Sequence, residues 1–162
     1  MQPMEARAAP AKIESMSMNA TARRIGDTLT HEVDVNGRHT IVTDEPESLG
    51  GADFGPAPHE LLAATLASCV ATMIAMYARN RGWDIGETSV SVNYDPDSTP
   101  RQLTIDIDLP TELSAEQRRR LERVAQTCPV RRALEAGFAY DEHISSPSSD
   151  DGHHQLSVEA AA

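Results

Sequence analysis

Aromatic residues are scarce in this chain, 4% of 162 residues against 40% hydrophobic overall, so aliphatic side chains and methionine must fill whatever core it builds. A chain of this length suits one domain and can bury a core that folds without disulfide staples. Positive charge is also short. Fourteen basic residues face 25 acidic ones, a net charge of −11, and such a surface repels phosphate backbones and anionic membranes, so neither nucleic acid nor a membrane is an expected partner. The N-terminal Met1–Arg7 stretch lacks the apolar segment of a secretory signal. The longest apolar run, Leu61 to Tyr77, is interrupted by Thr65, Ser68 and Thr72 and falls short of a bilayer span of about 20 residues. No CxxC, HxxxH or HExxH spacing is present, so a metal centre built from the cysteines and the six histidines has poor support. Neither GxGxxG nor a GK[S/T] phosphate loop occurs. The expected compartment is the cytoplasm, where a lasting structural disulfide would be unusual.

Only two cysteines are present, and they carry most of the information. A cytosolic pair of this kind is more often catalytic, metal-binding or simply buried than a structural bridge. If the thiols meet, they form a dithiol/disulfide couple, the basis of thiol redox chemistry.

Their contexts follow from the pattern along the chain. Residues 1–18 read as a flexible arm, 19–145 as the domain, and 146–162 as a polar tail with a short strand at Leu156–Val158. Thr28–Val35 alternates in strand fashion, Asn36-Gly37 is a strong hairpin signal, and His39–Thr43 is the return strand. A Gly/Pro-rich loop, Ser48–Pro58, leads into a helix from about Pro58 to Arg81, stopped by Gly82. Glu60 in its first turn and Arg79 and Arg81 in its last suit the helix dipole. The helix is apolar nearly all round, which predicts enclosure by other structure. Strands at Thr88–Tyr94 and Gln102–Leu109 follow, then a capping box at Ser114 and Gln117 opening a helix to about Gln126. Pro129 starts a short helix that Gly137 closes, and Phe138–Ile144 reads as a final strand. The order β-β-α-β-β-α-α-β predicts an α+β fold with a central cysteine-bearing helix against antiparallel sheet.

From the residues alone, Cys128 reads either as a thiol activated by helix-start amides, with Arg131 and Arg132 adding positive potential, or as a quiet N-cap. Cys69 lies inside an apolar helix, where desolvation raises a thiol pKa, so packing is the stronger reading for it. Glu60 reads as a first-turn carboxylate and His59 as an exposed loop residue. His153 and His154 fall in the polar tail and read as solvated.

The run Gly50-Gly51-Ala52-Asp53-Phe54-Gly55-Pro56-Ala57-Pro58-His59-Glu60-Leu61-Leu62, continuing to Cys69, resembles the signature of the OsmC/Ohr family. So does Cys128-Pro129-Val130-Arg131-Arg132-Ala133-Leu134 after an amphipathic helix, and the upstream Asn36–His39 hairpin and Asp44-Glu45-Pro46 add to the likeness. It covers about residues 20–145. The resemblance implies an intertwined homodimer and a thiol peroxidase acting on organic hydroperoxides, with no bound cofactor and no metal. It makes Cys69 the peroxidatic cysteine and Cys128 the resolving one, which reverses the electrostatic ranking. A lipoylated protein or small thiol is the implied dithiol reductant, and stress defence the implied role. The family's activating arginine comes from an early loop; Arg23, Arg24 and Arg38 are candidates, and Arg24 is the one taken here. The hydroperoxide-resistance branch places its catalytic carboxylate directly after the proline. Here His59 holds that position and Glu60, taken here as the candidate catalytic carboxylate, stands one residue later, about 100° around the helix. The reading from a different class is a non-catalytic OsmC-like homodimer that binds an apolar small ligand, with both thiols structural.

Overall fold

The computed structural model describes residues 18–109 and 112–145. The Leu156–Val158 strand expected in the tail, and His153 and His154, therefore lie outside the described residues. The element order is β1 (Ala20–Arg24), β2 (His31–Val35), β3 (His39–Thr43), a 3-10 turn at Glu47–Leu49, α1 (Pro58–Arg81), β4 (Ser89–Asp95), β5 (Gln102–Asp108), α2 (Ala115–Ala125) and α3 (Pro129–Ala136). This is the expected α+β class with three helices and antiparallel sheet.

The chain divides into two compact units. Among the described residues, one comprises 18–64 and 93–103, the other 65–92, 104–109 and 112–145. In the first, β1, β2 and β3 form an antiparallel meander, with Ala20 opposite Val35 and Arg24 opposite His31, then His31 opposite Thr43 and Val35 opposite His39. The Asn36-Gly37 turn forms as expected, with both residues at positive φ (57° and 64°) and the Gly37 amide donating to Asp34 Oδ1 at 2.8 Å. Strand β1 was not foreseen. Ala20-Thr21-Ala22-Arg23-Arg24 has no apolar alternation and is exposed throughout, so only its ladder to β2 holds it. Charged residues on such an edge discourage further pairing.

The buried residues of this first unit are polar: Thr30, Thr43 and Asp44. Asp44 is 1% exposed and accepts four hydrogen bonds, from the amides of Glu45 (2.8 Å), Ala52 (3.1 Å) and Phe54 (3.2 Å) and from Thr30 Oγ1 (3.1 Å). The Gly-rich loop is thus wrapped around one carboxylate. The wrapping explains its glycines. A Cβ on Gly51 would sit 1.8 Å from the Glu45 carbonyl oxygen, and one on Gly55 would sit 2.3 Å from that of Val42. Burial pushes the Asp44 carboxyl up, but donation from Phe54, Glu45, Ala52 and Thr30 outweighs it and holds the group below the usual carboxylate value.

The second unit is built on aliphatic packing. Leu66, Val70, Ile74 and Ala78 recur every four residues along α1 and are all buried, as are Leu109, Leu113, Leu121 and Ala125. Burying each of the largest, Leu66, Ile74 and Leu121, contributes about 1.5–3 kcal/mol. Helix α2 begins as expected: Ser114 Oγ accepts from the Gln117 amide, and Gln117 Oε1 accepts from the Ser114 amide.

Two expectations fail. Helix α1 is not enclosed within the single chain; the four-residue stripe is fully buried, other faces are half-buried or exposed, and 22% of its most apolar 18-residue window is buried. A helix that is apolar all round needs cover on more than one face. Phe138–Ile144 is not a strand either. No strand of the described chain pairs with it, and Phe138, Tyr140 and Ile144 remain 60%, 83% and 94% exposed.

Candidate active site: a dithiol at the start of the third helix

Cys69 lies near the middle of α1, one residue before the buried Val70. Cys128 is the N-cap residue of α3, with Pro129 as the first helical residue, and it is fully buried. The ends of α2 and α3 bring it in: the Cys128 amide donates to the Ala125 carbonyl (3.3 Å), and its own carbonyl accepts from the Arg132 amide (3.0 Å). The two sulfurs meet at 2.7 Å and share a hydrogen bond. Both cysteines are free thiols and both belong to the second unit.

Cys128 occupies the N-cap position, as expected, but its thiol makes no capping hydrogen bond to the α3 amides. Nor do the helix-start amides serve Cys128. The amide of Val130, in the first turn of α3, is directed at the sulfur of Cys69 and lowers its pKa. Burial acts in the opposite sense and is the larger influence. With the neighbouring Cys128 sulfur adding to it, burial pushes the Cys69 thiol above the ordinary cysteine value. Exposure separates the pair further. Cys69 is partly exposed and Cys128 has no exposed surface, so a reagent arriving from solvent meets Cys69 first. The sequence reasoning missed this because a helical period places Cys69 on a face without saying how completely that face is covered.

The other expected site residues fall in the first unit. Glu60 Oε2 accepts from the Ala57 amide at 2.8 Å, fastening the start of α1. His59 stacks obliquely on Tyr94, ring centroids 5.8 Å apart. Arg24, at the exposed end of β1, pairs with Asp27 at 3.3 Å. Asp44 is the residue whose importance the sequence reasoning passed over; its signal was an acidic residue closing a strand a few positions before a Gly-Gly pair. Among the described residues, no cluster of three or more His, Cys, Asp or Glu side chains is arranged to hold a metal ion.

A hollow of about 590 Å³ opens along α1 in the second unit, lined by Ala71, Thr72, Ala75, Ala78, Trp83 and Ile85 among others. Its volume lies in the range of small-ligand sites. Among the lining, Ala71 and Thr72 stand two and three residues beyond Cys69.

Two free thiols held together between a long helix and a Cys-Pro helix start are placed for thiol–disulfide chemistry, and comparison makes the class of protein specific. The model of the OsmC-like protein family matches residues 50–141, from the Gly-Gly loop through α3. The chain belongs to that family. A structure from Psychrobacter arcticus, described as an osmotic stress induced and detoxification response protein, is 29% identical; the match covers 75% of this chain and 90% of that one, with a TM-score of 0.61. An OsmC-like protein from Mycoplasma pneumoniae shares the fold at 17% identity, covering 75% and 89% of the two chains, with a TM-score of 0.62. An organic hydroperoxide resistance protein from Vibrio cholerae, with captopril bound in one of its active sites, shares the fold at 23% identity, covering 76% and 88%, with a TM-score of 0.55. No curated protein matches the chain.

Proposed function

We propose that this protein is a cysteine-based peroxidase that reduces organic hydroperoxides to alcohols in oxidative stress defence. The observation that carries the reading is the 2.7 Å approach of the Cys69 and Cys128 sulfurs, with only Cys69 open to solvent. Family membership and structural neighbours named for hydroperoxide resistance support a role of this kind.

The chemistry balances with two thiols. The thiolate of Cys69 attacks the distal peroxide oxygen; the O–O bond breaks and the departing alkoxide takes a proton to leave as alcohol. Cys69 is then a sulfenic acid. The Cys128 sulfur attacks it, hydroxide leaves and is protonated to water, and a Cys69–Cys128 disulfide remains. A dithiol reductant, a lipoylated protein or a small thiol, returns both thiols by exchange and is itself oxidised. The Val130 amide stabilises charge on Cys69. Arg24, paired with Asp27 on the first unit, is the arginine this reading takes as the activating one, and Glu60 orders the start of the helix that carries the nucleophile.

A homodimer fits the surfaces the single chain leaves bare. On the first unit these include Ile41 and Val42 of β3, each more than a third exposed; on the second they include Met76 of α1 and the Phe138–Ile144 segment. A cytoplasmic, reducing setting keeps the pair as thiols between turnovers.

The other reading, a non-catalytic homodimer binding an apolar ligand, draws on the burial that raises the Cys69 thiol. Steady-state consumption of an alkyl hydroperoxide, with a dithiol present, separates them. Cys69→Ser is expected to lower the rate roughly 10³-fold or more. Cys128→Ser should leave one rapid turnover and then stop when no external thiol is supplied. Undiminished consumption by Cys69→Ser, or none by the unaltered protein, would favour the binding protein.

A further inference from the structure

The arginines are unevenly placed. Residues 115–132 hold six arginines and two glutamates, a surplus of +4 in a chain of net charge −11. Three of them, Arg119, Arg120 and Arg123 on α2, line one open groove of about 480 Å³ in the second unit, together with Tyr77, Val124 and Thr127. Glu116 is the one acidic residue in the lining, so the groove carries a charge of about +2 with its arginines ionised.

The three guanidinium groups are not alike. Arg120 is fixed by an ion pair with Glu116, and the Glu116 carboxylate, with the nearby Tyr77 side chain, holds it in the charged form. Tyr77 is fixed in turn, with Arg81 5.2 Å above its ring and Trp83 edge-on at 5.7 Å. Arg119 and Arg123 are exposed, stand one helical turn apart on the same face, and have no ion-pair or hydrogen-bond partner among the described residues. Two free guanidiniums beside a third, oriented one make an array of paired N–H donors suited to bidentate capture of phosphate or carboxylate. The groove is too large for a bare inorganic ion alone, and Tyr77 and Val124 give it an organic wall.

We infer that the Arg119/Arg120/Arg123 groove binds a small organic dianion, its phosphate or carboxylate head on the arginines and its body against Tyr77 and Val124. Neither cysteine lines the groove, although Thr127 of the lining directly precedes Cys128, and the inference does not depend on peroxidase activity. Elsewhere the acidic surface repels anions, so specificity arises from these contacts rather than from long-range attraction.

Isothermal titration of the full chain at low ionic strength tests it, with phenyl phosphate, phthalate and inorganic phosphate as probes. One saturable site per chain is expected for phenyl phosphate, phthalate or both, and whichever binds identifies the head group preferred. The organic probe should bind at least about tenfold more tightly than inorganic phosphate. The double variant Arg119→Gln/Arg123→Gln should weaken it about tenfold or more, the loss of one or two charge-assisted hydrogen bonds. Both positions are exposed, so the fold should persist, and an unchanged melting temperature checks this. Arg38→Gln/Arg101→Gln removes equal charge elsewhere and should leave binding unaltered. The inference fails if neither organic probe saturates, if inorganic phosphate binds as tightly, if the α2 variant binds normally, or if the control variant weakens binding to the same extent.

Discussion

Asp44 and Cys128 are buried to nearly the same degree, 1% and 0% exposed, and the two units of the chain hold them in opposite ways. Asp44 accepts from three backbone amides and a threonine hydroxyl. Moving it would orphan all four donors, so it acts as a fixed pin for the loop that leads into α1. Cys128 is fully buried, and its sulfur has one partner among the described residues, Cys69. It can lose a proton and gain a covalent bond without stranding any backbone group. Burial by itself therefore says little about reactivity; the number of donors committed to the buried group distinguishes an anchor from a reagent.

That contrast can be broken from either side. The largest effect on stability is expected in the second unit, where Leu121→Ala leaves a cavity at a fully buried position and should cost about 2–5 kcal/mol in denaturant unfolding. In the first unit, Gly51→Ala drives a methyl into the Glu45 carbonyl, and a loss of about 1–3 kcal/mol is expected in the same assay. If Gly51→Ala were neutral, the loop would not be wrapped tightly on Asp44.

The fold was largely readable where period and turn chemistry agree. The Asn36-Gly37 hairpin, the Ser114–Gln117 capping box and the alternation of Leu103, Ile105 and Ile107 all appear where the pattern put them. Strand β1 was not readable, because it is held by a ladder and not by burial. Phe138–Ile144 has a strand's composition and no partner strand within the described chain. The thiol pairing was accessible only through resemblance: spacing of 59 residues carries no distance, and the electrostatics of an isolated helix start do not say which sulfur its amides reach. Val130 serves Cys69 because α3 begins beside α1, a tertiary fact.

Smaller effects lie in the pH dependence, and the two buried groups should act at opposite ends. The Asp44 carboxyl is lowered in the fold, so its contribution is present above the unfolded value near about 3.9 and is lost as pH falls through the folded one. Asp44→Asn should be less stable at neutral pH and show a flatter acid limb in thermal melts. The Cys69 thiol is raised, so its contribution is present below the unfolded value of about 8.5 and is lost as pH rises through the folded one. Reduced protein should soften gradually in the alkaline range, and Cys69→Ala should soften less. An alkaline limb identical in the two would mean that burial does not penalise the thiolate.

The most direct measurement is a stoichiometric one. Fully reduced protein, mixed with one equivalent of an alkyl hydroperoxide and no external thiol, is analysed for free thiols, alcohol and cross-linked peptides. The expected result is one alcohol per chain, loss of both thiols, a mass lower by two hydrogens, and a single disulfide joining the peptides that carry Cys69 and Cys128. Persistence of both thiols with the peroxide unconsumed would contradict the account.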